Sequence, residues 1–277
     1  MNTTNHHHVR RLVVAGLGAA ATAGVAVGAS SSASAAGLAC GTVVTEDVQL
    51  EADLTGCGEV GLVVGAPGIT IDLAGHTLAG TGVGPGIDAN GGHDRLSVVG
   101  GTITGFTIGI ELLENDGSRV EGMTLTGNMV GMAVGRSTGV LVEGVHADGN
   151  GFGGVEIGFS RATSVRDSSM SDNGFSGLDD IGSTGTRVER SVTDGNGAFG
   201  IRLLHGDDAA VRRNQSHGND GTGIEVGFDT VGSVIERNDV RANTGYGILV
   251  VEPDNTVRRN IISGNAEGDC EPVTACD

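Results

Sequence analysis

Four charged residues stand at equal intervals in the middle of this 277-residue chain: Glu156, Asp179, Arg202 and Glu225, each 23 positions after the one before. Asp180 directly follows Asp179, so one segment carries two adjacent acids. Carboxylates a few ångströms apart repel one another unless a proton or a cation lies between them. Hard cations such as calcium take clustered carboxylate oxygens, and an acid beside a base can move protons. His205 lies just past Arg202; Phe159 and Arg161 lie just past Glu156, and Phe228 just past Glu225. Were the backbone to return to the same place every 23 residues, these side chains would share one surface. Asp179, Asp180, Arg202 and His205 would be its reactive groups. Glu156, Phe159, Arg161, Glu225 and Phe228 would be its contact residues, and Glu156, Asp179 and Asp180 its cation ligands.

The rest of the chain keeps this interval. Glycine followed by an aliphatic residue recurs at Gly86, Gly109, Gly131, Gly154, Gly177, Gly200, Gly223 and Gly247, in steps of 23, 22, 23, 23, 23, 23 and 24 residues. Asparagine follows the same interval at Asn128, Asn150, Asn173, Asn196, Asn219, Asn243 and Asn265. A fixed period over most of a chain marks stacked, equivalent units. Counted from each glycine, the second and fourth positions are apolar and the third is mostly charged, the alternation of a strand with one buried face. No unit has room for a helix of ordinary length. The pattern predicts an all-β, single-stranded parallel β-helix of about nine coils, with rungs about 4.8 Å apart. In such a stack identical Asn amides hydrogen-bond along the axis, and Asn suits the left-handed backbone of a tight turn. Asp180 interrupts the otherwise apolar fourth file. Either it is buried, at a cost unless paired or protonated, or a bulge turns it outward and sends Ile181 into the core.

The repeated Gly-[Ile/Val]-x-[Leu/Val] followed by Val-x-x-[Asn/Ser]-x-x-x-x-Asn resembles the secreted right-handed parallel β-helix proteins of the pectate-lyase-like superfamily. The opening segment from Cys40-Gly41-Thr42-Val43-Val44 to Gly75-His76-Thr77-Leu78 is similar to the first coils of such proteins. The resemblance covers nearly all of the chain after residue 35. It implies a right-handed coil and action on polysaccharide. In the lyases of the superfamily, carboxylates on this sheet bind calcium and an Arg or Lys acts as base. Carried over, Glu156, Asp179 and Asp180 would hold the metal and Arg202 would take the proton. The hydrolases use paired aspartates, which Asp179-Asp180 matches. Their Gly-His-Gly and Arg-Ile-Lys elements are missing here, as is the Asp-Pro-His motif of the alginate epimerases.

The ends and the composition bound the rest. Arg10-Arg11, the apolar run from Leu12 to Ala29 and Ala33-Ser34-Ala35 read as an export signal over residues 1–35, leaving 36–277 as the β-helix domain. Four cysteines in an exported chain predict two disulfides; proximity favours Cys40–Cys57 and Cys270–Cys276, one stiffening each end. Losing the signal removes two Arg and no acid, taking the net charge from −18 to −20. That charge disfavours nucleic acid and anionic lipid as partners, and no further apolar run is long enough to span a membrane. The expected protein is a secreted, extracellular monomer that binds or processes polysaccharide. The alternative is a structural or adhesive solenoid without catalysis.

Overall fold

The structure is a computed structural model that describes residues 33–34 and 38–276. Of the expected export segment, only Ala33 and Ser34 fall among the described residues; they form a short strand beside Val48–Gln49.

The glycine ladder becomes a parallel sheet of eleven strands. It runs through Thr42–Val44, Leu62–Val64, Pro85–Asn90, Ile108–Leu113, Val130–Gly135, Gly153–Gly158, Ser176–Ile181, Phe199–Leu204, Ile224–Val226, Tyr246–Val250 and Gly268–Glu271. Seven of these strands carry the repeat glycine and an eighth, Ile224–Val226, begins just after Gly223; two precede the ladder and one follows it. A sheet of thirteen strands forms another face, and three strands, Gln215–His217, Asp239–Arg241 and Ile261–Ser263, form a third. Among the described residues there is no α-helix, only a 3-10 turn at Val273–Cys276. The fold is the expected parallel β-solenoid.

Register follows the repeat. Ile110, Met132, Val155, Leu178 and Ile201 oppose one another in successive strands and are buried. At the repeat glycines neighbouring rungs approach closely. A Cβ on Gly131 would lie 2.6 Å from the Gly154 carbonyl oxygen, and one on Gly177 2.7 Å from that of Gly200. No side chain fits there without moving a backbone.

The Asn file is a buried hydrogen-bond ladder. The Asn173 side-chain carbonyl accepts from the Asn150 backbone N–H at 2.9 Å and from the Asn150 amide at 3.1 Å. The Asn173 amide donates to the Ala147 carbonyl and to Asn196 Oδ1, both at 3.1 Å. The same arrangement links Asn196, Asn219, Asn243 and Asn265. A second ladder, Asn214, Asn238 and Asn260, continues a file occupied by Ser168 and Ser191 in earlier rungs. The left-handed backbone expected at the ladder Asn belongs instead to the residue before each: Gly127, Gly149, Asp172, Gly195, Gly218, Ala242 and Gly264 all have φ between 55° and 71°. The turn is made one residue early, which leaves the Asn free to aim its amide into the stack.

Disulfides join Cys40 to Cys57 and Cys270 to Cys276, the pairing that proximity favoured.

Because Asn173 satisfies several buried groups at once, Asn173→Ala leaves them without partners. At about 1–3 kcal/mol per orphaned buried group, the substitution should lower the urea midpoint by an amount equivalent to roughly 2–4 kcal/mol. An unchanged midpoint would show that the ladder does not hold the rungs.

Candidate functional site

The third-position file faces outward as expected. Asp88, Glu111, Ala133, Glu156, Asp179, Arg202, Glu225 and Leu249 oppose one another rung by rung. A cleft of about 420 Å³ lies over part of this file, between Glu111 and Arg202. Its floor is low because small residues occupy two files at once. Ala133 stands in the third file, and Gly135 and Gly158 in the fifth, between the larger Leu113 and Ile181. A Cβ on Gly158 would meet nothing within 4 Å. Phe152 and Phe159 form the walls.

At one end of the cleft Arg202 clamps Asp179. Arg202 Nε donates to one carboxylate oxygen at 3.0 Å and a terminal nitrogen donates to the other. The side chains are only 19% and 8% exposed, so this bidentate pair is shielded from water, where such hydrogen bonds are strongest. Arg202 also packs on two rings, its guanidinium carbon 5.0 Å from the Phe175 centroid and 4.9 Å from that of Phe199. Phe175 in turn stacks on Phe152 at 4.9 Å. Phe152, Phe175 and Phe199, just before three successive repeat glycines, thus form a shelf that holds the guanidinium and ends in the cleft wall.

This clamp relieves part of the repulsion expected within the file: Arg202 lies between Asp179 and Glu225, while Glu156 and Asp179 remain direct neighbours. Burial pushes the Glu156 carboxyl above its ordinary range, and the charge of Asp179 pushes it further; Arg202 offsets part of this. Glu225, on the other side of Arg202, is raised by burial, with Arg202 opposing and Asp179 adding. The hydrogen bonds that Arg202 donates to Asp179 raise it, so its guanidinium is held more firmly protonated. That is the reverse of what a proton-abstracting base needs.

Asp180 corrects the expectation of a shared aspartate pair. It opposes Ile157 and Leu203 in the inward fourth file and is 4% exposed. No bulge intervenes: Ile181 points outward and is 37% exposed. The strand therefore puts Asp179 and Asp180 on opposite faces. Burial raises the Asp180 carboxyl; the Ser183 and Thr186 hydroxyls draw it back in part, and Asp179 adds to the rise. Its Oδ1 has no hydrogen-bond partner among the described residues. Among the described residues no group of three His, Cys, Asp or Glu side chains is arranged to hold a metal ion. The proposed calcium set of Glu156, Asp179 and Asp180 is divided by the strand.

The remaining expected residues separate in the same way. Phe159 joins Glu156, Asp179 and Arg202 at the cleft, while Arg161, His205, Glu225 and Phe228 are not part of its lining. His205 lies in the turn past its strand, with Nδ1 3.3 Å from Asp229. Phe159 is 70% exposed and has a left-handed backbone with φ of 51°. Its ring lies over Gly182, where an added Cβ would come within 2.8 Å of it. The residues not anticipated are Leu113, Gly135, Phe152, Gly158 and Ile181. For Leu113, Gly135, Gly158 and Ile181 the signal was the fifth position of each repeat, where two glycines are set between bulky residues; Phe152 precedes its repeat glycine and lies outside that file.

A family described as a right handed beta helix region matches residues 131–275, which is more than half of the chain. The chain belongs to this family. Right-handed β-helix proteins of known structure share its fold at low identity. The A-module of the Azotobacter vinelandii mannuronan C-5 epimerase AlgE4 aligns over 82% of this chain and 81% of its own, at 14% identity and a TM-score of 0.60. A mutant of the periplasmic alginate epimerase AlgG aligns over 81% of this chain and 69% of its own, at 15% identity and 0.61. The enzymatically active domain of tailspike protein 2 from bacteriophage CBA120 gives 13% and 0.56, with 83% of this chain covering 47% of that one. At these identities the likeness is one of fold. No curated protein sequence gives a significant match.

The raised Asp180 carboxyl makes a signed prediction. A group whose pKa is higher folded than unfolded binds more protons in the native state, so stability falls as pH rises from the unfolded value of 3.8 through the folded one. Asp180→Leu, matching Leu203 in the file, should therefore raise the melting temperature at pH 7, and the gain should shrink towards pH 4. A variant less stable than the parent at pH 7 would show that the buried acid is well compensated.

Proposed function

We propose that this right-handed β-helix protein binds polysaccharide in the cleft over its eleven-stranded sheet, outside the cytoplasm. The observation that carries the reading is the polar floor of Glu156, Asp179 and Arg202 set between the Phe152 and Phe159 walls. A sugar ring has apolar faces and a polar rim. Aromatic walls suit the faces, and a carboxyl beside a fixed guanidinium suits the hydroxyls. The cleft is shallow and crosses several rungs, as a polymer requires. Solved relatives in fold that are named for action on mannuronan and alginate support the same class of ligand. The two disulfides favour an oxidising compartment, in accord with the export signal read at residues 1–35. Among the described residues no helix is long and apolar enough to cross a membrane.

In this reading Phe152 and Phe159 stack on the sugar, Arg202 donates with the nitrogen that Asp179 leaves free, and Glu156 donates while protonated. Processing of the polymer is the second reading, and the raised Glu156 carboxyl favours it. Such a group is suited to give its proton to a glycosidic oxygen.

A screen of purified protein against neutral and acidic polysaccharides, with and without calcium, tests both readings. Gly158→Leu should fill the cleft without strain and weaken binding at least about tenfold, some 1.4 kcal/mol. Phe159→Ala should weaken it by a similar factor. Parental binding should decline as pH rises through the Glu156 range, because the carboxylate loses its donor and adds charge beside Asp179; Glu156→Gln should flatten that profile. Release of reducing ends by the parent, lost in Glu156→Gln, would establish processing. Binding that ignores Gly158→Leu would place the ligand elsewhere.

A further inference from the structure

A second charged face lies away from the cleft. In the thirteen-stranded sheet, Arg187–Glu189, Ala210–Arg212, Val234–Glu236 and Thr256–Arg258 stack in register, so Glu189, Arg212, Glu236 and Arg258 form one file. The next residue in each of these rungs is an arginine: Arg190, Arg213, Arg237 and Arg259. All four are exposed. They turn a corner in the left-handed region, with φ of 51°, 57°, 58° and 57°. Earlier rungs use Gly122, Gly144 and Asp167 at this corner. A left-handed backbone costs a residue with a Cβ on the order of 1 kcal/mol, and an exposed arginine gains little packing in return.

Charge on this face is far from balanced. Asp167 and Glu189 both pair with Arg190. Glu236, only 6% exposed, lies beneath Arg212, Arg237, Arg258 and Arg259 at 3.8, 3.9, 3.3 and 3.0 Å. One carboxylate shared by four guanidiniums leaves most of their charge unanswered. Arg213 makes no ion pair among the described residues. A chain of net charge −18 thus carries a cationic ridge parallel to its axis.

We propose that this arginine ridge binds a linear anionic glycan laid along the solenoid. Each rung offers a guanidinium about 4.8 Å from the next, and guanidinium pairs bidentately with carboxylate or sulfate oxygens. The rungs of the ridge contain no Phe, Tyr or Trp near the corner, so they lack the stacking platform that single-stranded nucleic acid uses. A bilayer or a duplex is broad enough to meet the acidic remainder of the surface. A thin chain meets only charge within about one Debye length, roughly 8–10 Å. The proposal is independent of the cleft.

The test uses Arg213→Gly, Arg237→Gly and Arg259→Gly together. Glycine suits the left-handed corner, so the variant keeps its fold, which its circular dichroism and melting temperature verify. On immobilised polygalacturonate (carboxylated) and dextran sulfate (sulfated), the parent should be retained at low salt, and which polymer retains it identifies the preferred anion. The triple variant should bind at least about tenfold more weakly, with a salt-dependence slope smaller by about one for each arginine removed. Gly158→Leu leaves the ridge intact, so retention lost in the triple variant reports the ridge and retention lost in Gly158→Leu reports the cleft, and failure of one site is told apart from failure of the other. Three results would overturn the proposal: no retention of the parent on either polymer, equal retention of the triple variant, or tighter binding of the parent to oligo-dT or phosphatidylserine vesicles.

Discussion

In-register parallel stacking is the constraint from which the rest follows. Each rung lends its backbone groups to the rungs on either side, and the buried Asn amides fix which residue lies over which. A slip of one residue would turn every apolar side chain of a strand outward and break the amide contacts at the corner. Close approach at the repeat glycines reinforces this, because no other residue fits where Gly131 meets Gly154. Once register is fixed, residues one period apart become neighbours, and the surface is composed of files.

The cleft and the arginine ridge are both files of this kind. In one, a change of charge from Asp179 to Arg202 makes a neutralised pair, and small residues beside it leave a hollow. In the other, arginine repeats without an equal number of acids and leaves positive charge exposed. The fold supplies the spacing in both cases. Side-chain size and charge along the file decide whether it becomes a wall, a clamp or a ridge.

Much of this was legible because period and alternation are properties of the sequence. The rung length, the inward pairs such as Ile110 and Leu112, the outward third file and the Asn ladder needed only counting. The disulfide pairs followed from proximity. Other features escaped for definite reasons. Alternation allowed Asp180 to be buried or bulged, and the strand keeps its register with Ile157 and Leu203, which leaves Asp180 buried. The left-handed turn lies one residue before each ladder Asn, a shift that composition does not reveal. Phe152, Phe175 and Phe199 lie just before three successive repeat glycines, Phe199 already within its strand; that a guanidinium rests on Phe175 and Phe199 depends on which rotamer Arg202 takes. His205 and Arg161 have the right chemistry but sit past the strand end, where the chain curves away from the cleft.

A double-mutant cycle between Asp179 and Arg202 reaches the centre of this account, since these residues touch only if the rungs stack in the stated register. Stability would be measured for the parent, Asp179→Asn, Arg202→Gln and the double variant by chemical denaturation. In-register stacking predicts a coupling of about 1–3 kcal/mol that persists in high salt, because the pair is shielded. Strictly additive effects, with no coupling at any salt concentration, would contradict it.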